Sequence, residues 1–178
     1  DFKFKKFAWA FIMAVMMVPS QISIIGFYRF MLDLKLIDTY VPLIIPTIAA
    51  PTVVFFMKQY MESTLSLEMI EAARIDGCGE IGIFLKVVLP SQKPAIGALG
   101  IYMFMSMWNN FMWPLIILST KSMYNFPVAL AMLDGVAWRK DYGVVMLATV
   151  CAVLPIMIIF LVFQKQFVAG VMGGAVKE

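Results

Sequence analysis

Charged residues cluster along this chain and leave four long stretches with none: 22 residues between Lys6 and Arg29, 19 between Asp38 and Lys58, 27 between Lys93 and Lys121, and 23 between Asp141 and Lys165. An α-helix rises about 1.5 Å per residue, so about 20 residues cross a hydrocarbon layer of about 30 Å, and the helix bonds its own backbone where water is absent. Each stretch is long enough. The pattern predicts an all-α, polytopic transmembrane helical bundle with four membrane helices. One such run taken alone also fits a buried core helix or a signal peptide, but four in succession leave that reading little room. Pro19, followed by Ser20 and Gln21, predicts a kink in the first stretch, and Pro42, Pro46 and Pro51 predict an irregular start to the second.

Composition agrees: 62% of the 178 residues are hydrophobic, 14% are charged, and the mean hydropathy is +0.90. Positive residues are retained on the cytoplasmic side. With both ends inside, nine of the 14 Lys and Arg (Lys3, Lys5, Lys6, Lys58, Arg74, Lys86, Lys93, Lys165 and Lys177) lie on that side, and Arg29, Lys35, Lys121, Arg139 and Lys140 lie outside. The net charge of +3 is therefore a topological signal; the basic residues form no groove for nucleic acid. Membrane lipid is the implied surround. Cys78 falls in a predicted cytoplasmic loop and Cys151 in a membrane stretch, which predicts free thiols. The 16 Met residues read as adaptable packing. No repeat or soluble linker is visible, so residues 1–178 read as one membrane domain. The start at Asp1, just before a basic stretch and a membrane run, reads as a C-terminal fragment.

Two polar loops interrupt the pattern. From about residue 59 to 93 the chain is too charged to span and too long for a tight turn, and it predicts a helix, a break and a second helix. Ser66 is placed to cap the first helix, Glu68 suits the positive end of its dipole, and Gly77 supplies a left-handed stop. Pro90 is expected to end the second helix. At about 100° per residue Met69, Ile70, Ala73 and Gly77 share one side, with Glu68, Glu71 and Ile75 opposite. Such a helix suits either a docking partner or the membrane surface. The second loop, about 119 to 141, mixes Asn125, Phe126, Pro127, Gly135, Trp138, Arg139 and Lys140, and fits an interface or a plain connector.

The spacing Glu71-Ala72-Ala73, three residues, Gly77, nine residues, Val87, one residue, Leu89-Pro90 resembles the EAA loop of binding-protein-dependent ABC importer permeases, with Val87 where Ile is usual. Trp108-Asn109-Asn110-Phe111-Met112-Trp113-Pro114-Leu115, Phe126 to Leu130, Phe167 to Gly170 and Gly174 to Lys177 extend the likeness to the carbohydrate type, similar to the maltose-system permeases. Asn110 stands where an acidic residue is common, Ser66 where Pro is common, and Gly79 replaces Ser or Asn; Met172 and Glu178 also depart from the pattern.

The resemblance implies a coupling helix in which Glu71, Ala72, Ala73, Asp76 and Gly77 dock on a cytoplasmic ATPase subunit. It also implies a second permease subunit, an extracytoplasmic solute-binding protein met by loop 119–141 through Trp138, Arg139 and Lys140, and a sugar substrate. ATP and Mg would be bound by the partner ATPase, with no cofactor on this chain. Family members usually have six membrane helices, so these four would be the last four, in a bacterial or archaeal inner membrane.

Within the third stretch Ser106, Asn109, Asn110 and Trp113 follow i, i+3, i+4, i+7 spacing, placing amides and an indole on one helix face. That face suits a sugar path, although Asn in a membrane helix more often bonds a neighbouring helix. The chain has no His, no paired Cys motif and no Gly-rich phosphate loop, so it reads as a transport subunit rather than an enzyme. An ion-coupled secondary transporter, an ABC permease for a non-sugar solute and a membrane scaffold are the alternatives. The first usually carries an ionisable residue within a membrane stretch, which all four lack.

Overall fold

Proline decides where the apolar stretches break. The structure, a computed structural model, describes residues 2–134 and 141–173. Helix α1 (Lys5–Met17) stops before Pro19, and the preceding Val18 takes the extended conformation a following proline imposes. A 3-10 turn at Ser20–Ile22 leads into α2 (Ser23–Asp33), which meets α1 at 81°. The kink at Pro19 is where the sequence places it.

The second stretch starts irregularly, as Pro42, Pro46 and Pro51 predict. A one-turn α3 (Val41–Ile44) and a 3-10 turn (Ile45–Thr47) precede α4 (Pro51–Thr64). Loop 59–93 then holds α5 (Leu67–Ile75), α6 (Glu80–Ile83), a π-helical turn (Phe84–Val88) and α7 (Leu89–Ser91). The remaining helices are α8 (Lys93–Trp108), α9 (Met112–Ile117), α10 (Phe126–Asp134) and α11 (Tyr142–Gly173). The described residues are mostly helical and contain no strand.

Val41–Thr64 and Tyr142–Gln164 are long and apolar enough to cross a membrane, with mean hydropathies of 1.7 and 2.9; α1 with α2 makes a third if the bent pair is one span. The third apolar stretch differs from expectation. It is divided into α8, 16 residues long, and α9, with Asn109 to Phe111 between them. The reason is Pro114: it has no N–H for the carbonyl of Asn110, four residues back, and its ring would collide with that carbonyl in a continuous helix. The side-chain amide of Asn125 donates to the Asn110 carbonyl instead.

The chain packs as two units. In the first (Asp1–Thr52 with Phe104–Ile158), Met31, Ile117 and Leu118 form the buried centre, flanked by Phe27, Leu36 and Trp113. Trp113 meets Phe27 edge-on at 5.0 Å. Trp108 stacks between Phe104 and Phe126 and gives its Nε1–H to the carbonyl of Ala152 at 2.9 Å. That acceptor lies next to Cys151, whose carbonyl loses its helical donor to Pro155. In the second unit (Val53–Met103 with Ile159–Glu178), Ala73, Ile83 and Val88 pack with Leu65, Ile70 and Cys78. Most other large apolar side chains, among them Phe7, Ile25 and Leu147 on helix surfaces, are exposed, as lipid-facing positions require. Cys78 and Cys151 are both free thiols.

Candidate functional site

Helix α5 is held at both ends by its own sequence. At its start the Ser66 hydroxyl accepts from the Met69 N–H at 3.4 Å. Hydrogen bonds from the Glu68 backbone and from the Ser66 side chain lower the Glu68 carboxyl below the usual range, keeping an anion at the positive end of the helix. At its end the N–H of Cys78 reaches the carbonyl of Ala73, and that of Gly77 the carbonyl of Arg74, both at 3.0 Å. This is a Schellman cap, with Gly77 in the left-handed region at φ 81° and Cys78 packing back on Ala73. The Arg74 Nε donates to Glu80 Oε1 at 2.9 Å, across the turn. The hydrogen bond and attraction within that pair raise Arg74 and lower Glu80 from their ordinary values, so both stay charged at neutral pH and fix α6 against α5.

Burial sorts the five expected docking residues. Glu71, Ala72, Asp76 and Gly77 are exposed, and with them Leu67 and Ile75, at 73% and 86%. Ala73 is only 8% exposed and is enclosed by Ile83 and Val88, so its small side chain serves close packing inside the loop itself. The face open to a partner therefore runs through Leu67, Glu71, Ala72 and Ile75.

Pro90 does not end the second helix. The chain widens into the π turn just before it and continues through Leu89–Ser91 to Gln92, whose carbonyl accepts from Ile96 in α8. Pro90 has no N–H to return to a carbonyl four or five residues back, and the wider turn is where that missing bond is absorbed.

Gln92 was not singled out by any motif, yet it is the buried polar residue of this unit, at 2% exposure. Its Nε2 donates to Thr64 Oγ1 and Ser91 Oγ, each at 3.1 Å. Both hydroxyls give their own protons to backbone carbonyls, Thr64 to Tyr60 and Ser91 to Val88, so they can only accept from Gln92. That fixes the amide's orientation and leaves Oε1 without a donor among the described residues. A buried acceptor left so costs about 1–3 kcal/mol.

The four residues expected on one face of the third stretch are separated by the break at Asn109 to Phe111. Ser106 is exposed on α8, Asn109 is exposed with its Nδ2 turned back to the Met105 carbonyl at 2.8 Å, and Trp113 lies in the apolar centre against Phe27. Asn110 alone of the four lines a cleft of about 270 Å³, with Tyr40, Thr47, Met107, Met123 and Asn125 among its walls. Most polar groups there are already engaged. Tyr40 donates to the Met123 carbonyl and Thr47 to that of Ile44, while Asn125 caps α10 through the Val128 N–H and holds the Asn110 carbonyl. The Asn110 side-chain amide is the lining group with both donor and acceptor free among the described residues.

Asp38 closes one side of this unit. In a left-handed conformation at φ 60°, it accepts from the Ser119 and Thr120 N–H groups through Oδ1, at 2.8 and 2.9 Å, and from the Thr120 hydroxyl through Oδ2 at 2.6 Å. These bonds, the Thr120 hydroxyl first, hold its carboxyl below the usual range. A carboxylate depressed on folding contributes stability in full above its unfolded value of about 4, and loses it as the pH falls through the lower folded value. Thermal unfolding followed against pH should thus include an acid-side loss from Asp38 that sets in as the pH falls to about 4. Asp38→Asn should remove that part of the acid dependence, and an identical acid profile in the variant would refute the assignment. Trp138, Arg139 and Lys140 lie outside the described residues.

Residues 1–173 match the family described as binding-protein-dependent transport system inner membrane component. The chain is 38% identical over 177 residues to the arabinooligosaccharides transport system permease protein AraQ of Halalkalibacterium halodurans, covering 99% of this chain and 63% of that protein. It is 39% identical over 177 residues to AraQ of Bacillus subtilis, covering 99% and 62%. It thus spans somewhat less than two thirds of the length of these curated relatives. A crystal structure of a bacterial ABC transporter involved in the import of the acidic polysaccharide alginate matches with a TM-score of 0.81 over 93% of this chain and 63% of that one; at 24% identity that likeness speaks for the fold.

Proposed function

The chain belongs to the family of binding-protein-dependent transport system inner membrane components, and from that premise we propose that it is a permease subunit of an ATP-driven importer for a sugar or oligosaccharide. The proposal includes two permease subunits and two ATPase subunits, with ATP and Mg on the latter and substrate delivered by an extracytoplasmic binding protein. The third apolar stretch crosses as a broken span, with the first as a bent one, giving four crossings with both ends cytoplasmic.

One observation carries the coupling: the double-capped α5, fixed to α6 by Arg74 and Glu80, keeps Leu67, Glu71, Ala72 and Ile75 exposed. A partner that fits over those side chains moves a rigid element rather than a loose loop. ATP binding draws the two ATPases together, the α5 helices follow, and the membrane helices turn the cavity from one side to the other. Substrate class rests on the sugar named for the AraQ relatives and on the uncommitted Asn110 amide, which can both donate to and accept from hydroxyls. Loop 119–141, with Trp138 to Lys140, is assigned to the binding protein.

The test is uptake by the full-length protein reconstituted with its ATPase and binding protein. Accumulation of an oligosaccharide should need Mg-ATP inside the cell-equivalent compartment and the loaded binding protein on the other. Uptake driven by an ion gradient without ATP would favour a secondary transporter instead.

A further inference from the structure

Gln92 sits where loop 59–93 returns to the membrane stretches, and its side chain joins the two ends of that loop. Thr64, at the last position of α4, and Ser91, at the end of α7, are both bound by the same amide, while the Gln92 backbone bridges α7 to α8. The amide has one workable orientation, because both hydroxyls have spent their protons on backbone carbonyls. Its other end, Oε1, is buried with no donor among the described residues. A leucine or methionine would fill this site without that unmet acceptor. Stability of the loop alone does not explain a glutamine here.

We propose that Gln92 is a positioning residue for transport: it staples the end of α4 to the start of α8, so that α5, α6 and both helix ends shift as one body when α5 is moved. Without the staple, α5 and α6 keep their own caps and ion pair, since neither involves Gln92. The loop would still hold a partner but would transmit its motion poorly. The inference rests on the coupling reading of α5.

The experiment uses the full-length protein in its assembled transporter, with Gln92→Met, Thr64→Val and the double variant. ATPase retention is measured by co-purification, and coupling as substrate taken up per ATP hydrolysed. Gln92→Met should retain the ATPase at the wild-type level while uptake per ATP falls about fivefold or more, the lower range for a lost coupling contact between two sites. Thr64→Val should reproduce much of that loss, and the double variant should be no worse than Gln92→Met, because both remove the same bond. Wild-type coupling in Gln92→Met, or additive losses in the double variant, would overturn the proposal. Failure of the wild-type protein to retain an ATPase would instead overturn the coupling reading beneath it.

Discussion

If α5 docks on an ATPase subunit as proposed, Gly77→Val should leave the protein inserted in the membrane and remove most of that subunit's retention. Gly77 holds φ at 81°, and two hydrogen bonds of the helix cap depend on that turn. An L-residue in the left-handed region costs about 1–2 kcal/mol, and a β-branched one fits worst. Crowding at the Cβ adds nothing, because a Cβ built on Gly77 meets no atom within 4 Å. The strain is in the backbone, and it is relieved by unwinding the end of α5, which carries Ile75 and Asp76 off the exposed face. ATPase retention in co-purification should fall about fivefold or more, the factor that 1 kcal/mol and upward implies. Gly77→Asn, whose residue tolerates this region better, should keep most of it. Full retention and coupling in Gly77→Val would show that the cap is not needed for docking.

Asn110→Ala should lower uptake while the complex assembles and hydrolyses ATP as before. The bond that supports the chain break uses the Asn110 backbone carbonyl, which alanine retains. The side-chain amide of this cleft-lining residue is what the substitution removes. Loss of one such hydrogen bond to substrate, about 0.5–1.5 kcal/mol, lowers uptake roughly two- to tenfold. Asn109→Ala should be close to wild type, since its amide is turned back on its own helix. Asn125→Ala should reduce assembly instead, because it loses both the α10 cap and the bond to Asn110. Equal defects in Asn109→Ala and Asn110→Ala, or loss of assembly in Asn110→Ala, would remove Asn110 from the substrate path.

Local chemistry made much of the loop and the kinks legible. Pro19, Ser66, Glu68 and Gly77 act on backbone groups within a few residues, and each does in the structure what its type predicts. Pro114 is just as local, but its effect falls four residues upstream, on Asn110, inside a run whose hydropathy gives no sign of a break. Helical spacing groups Ala73 with Gly77, yet Ala73 is buried while Gly77, past the end of α5, is exposed, and periodicity alone does not say which side meets the rest of the chain. Ile83 and Val88 take the Ala73 side, leaving Ala72 open. Lys35 caps α2 at φ 57° without the glycine that usually announces such a turn: Leu36 reaches back to the Met31 carbonyl and packs beside it. Asp38 grips residues 81 and 82 positions away, and Gln92 one 28 positions away; contacts of that range leave no local signature.

The central claim is that the exposed face of α5 meets the ATPase, and site-directed photo-crosslinking on the assembled full-length transporter addresses it most directly. With Cys78→Ala and Cys151→Ser as background, a maleimide-linked photo-crosslinker is placed at Ala72→Cys, Ile75→Cys or, as a position in the other loop, Lys121→Cys. Adducts with an ATPase subunit should form from Ala72→Cys and Ile75→Cys and not from Lys121→Cys. Failure of both α5 positions to reach the ATPase, or equal labelling from Lys121→Cys, would contradict the account.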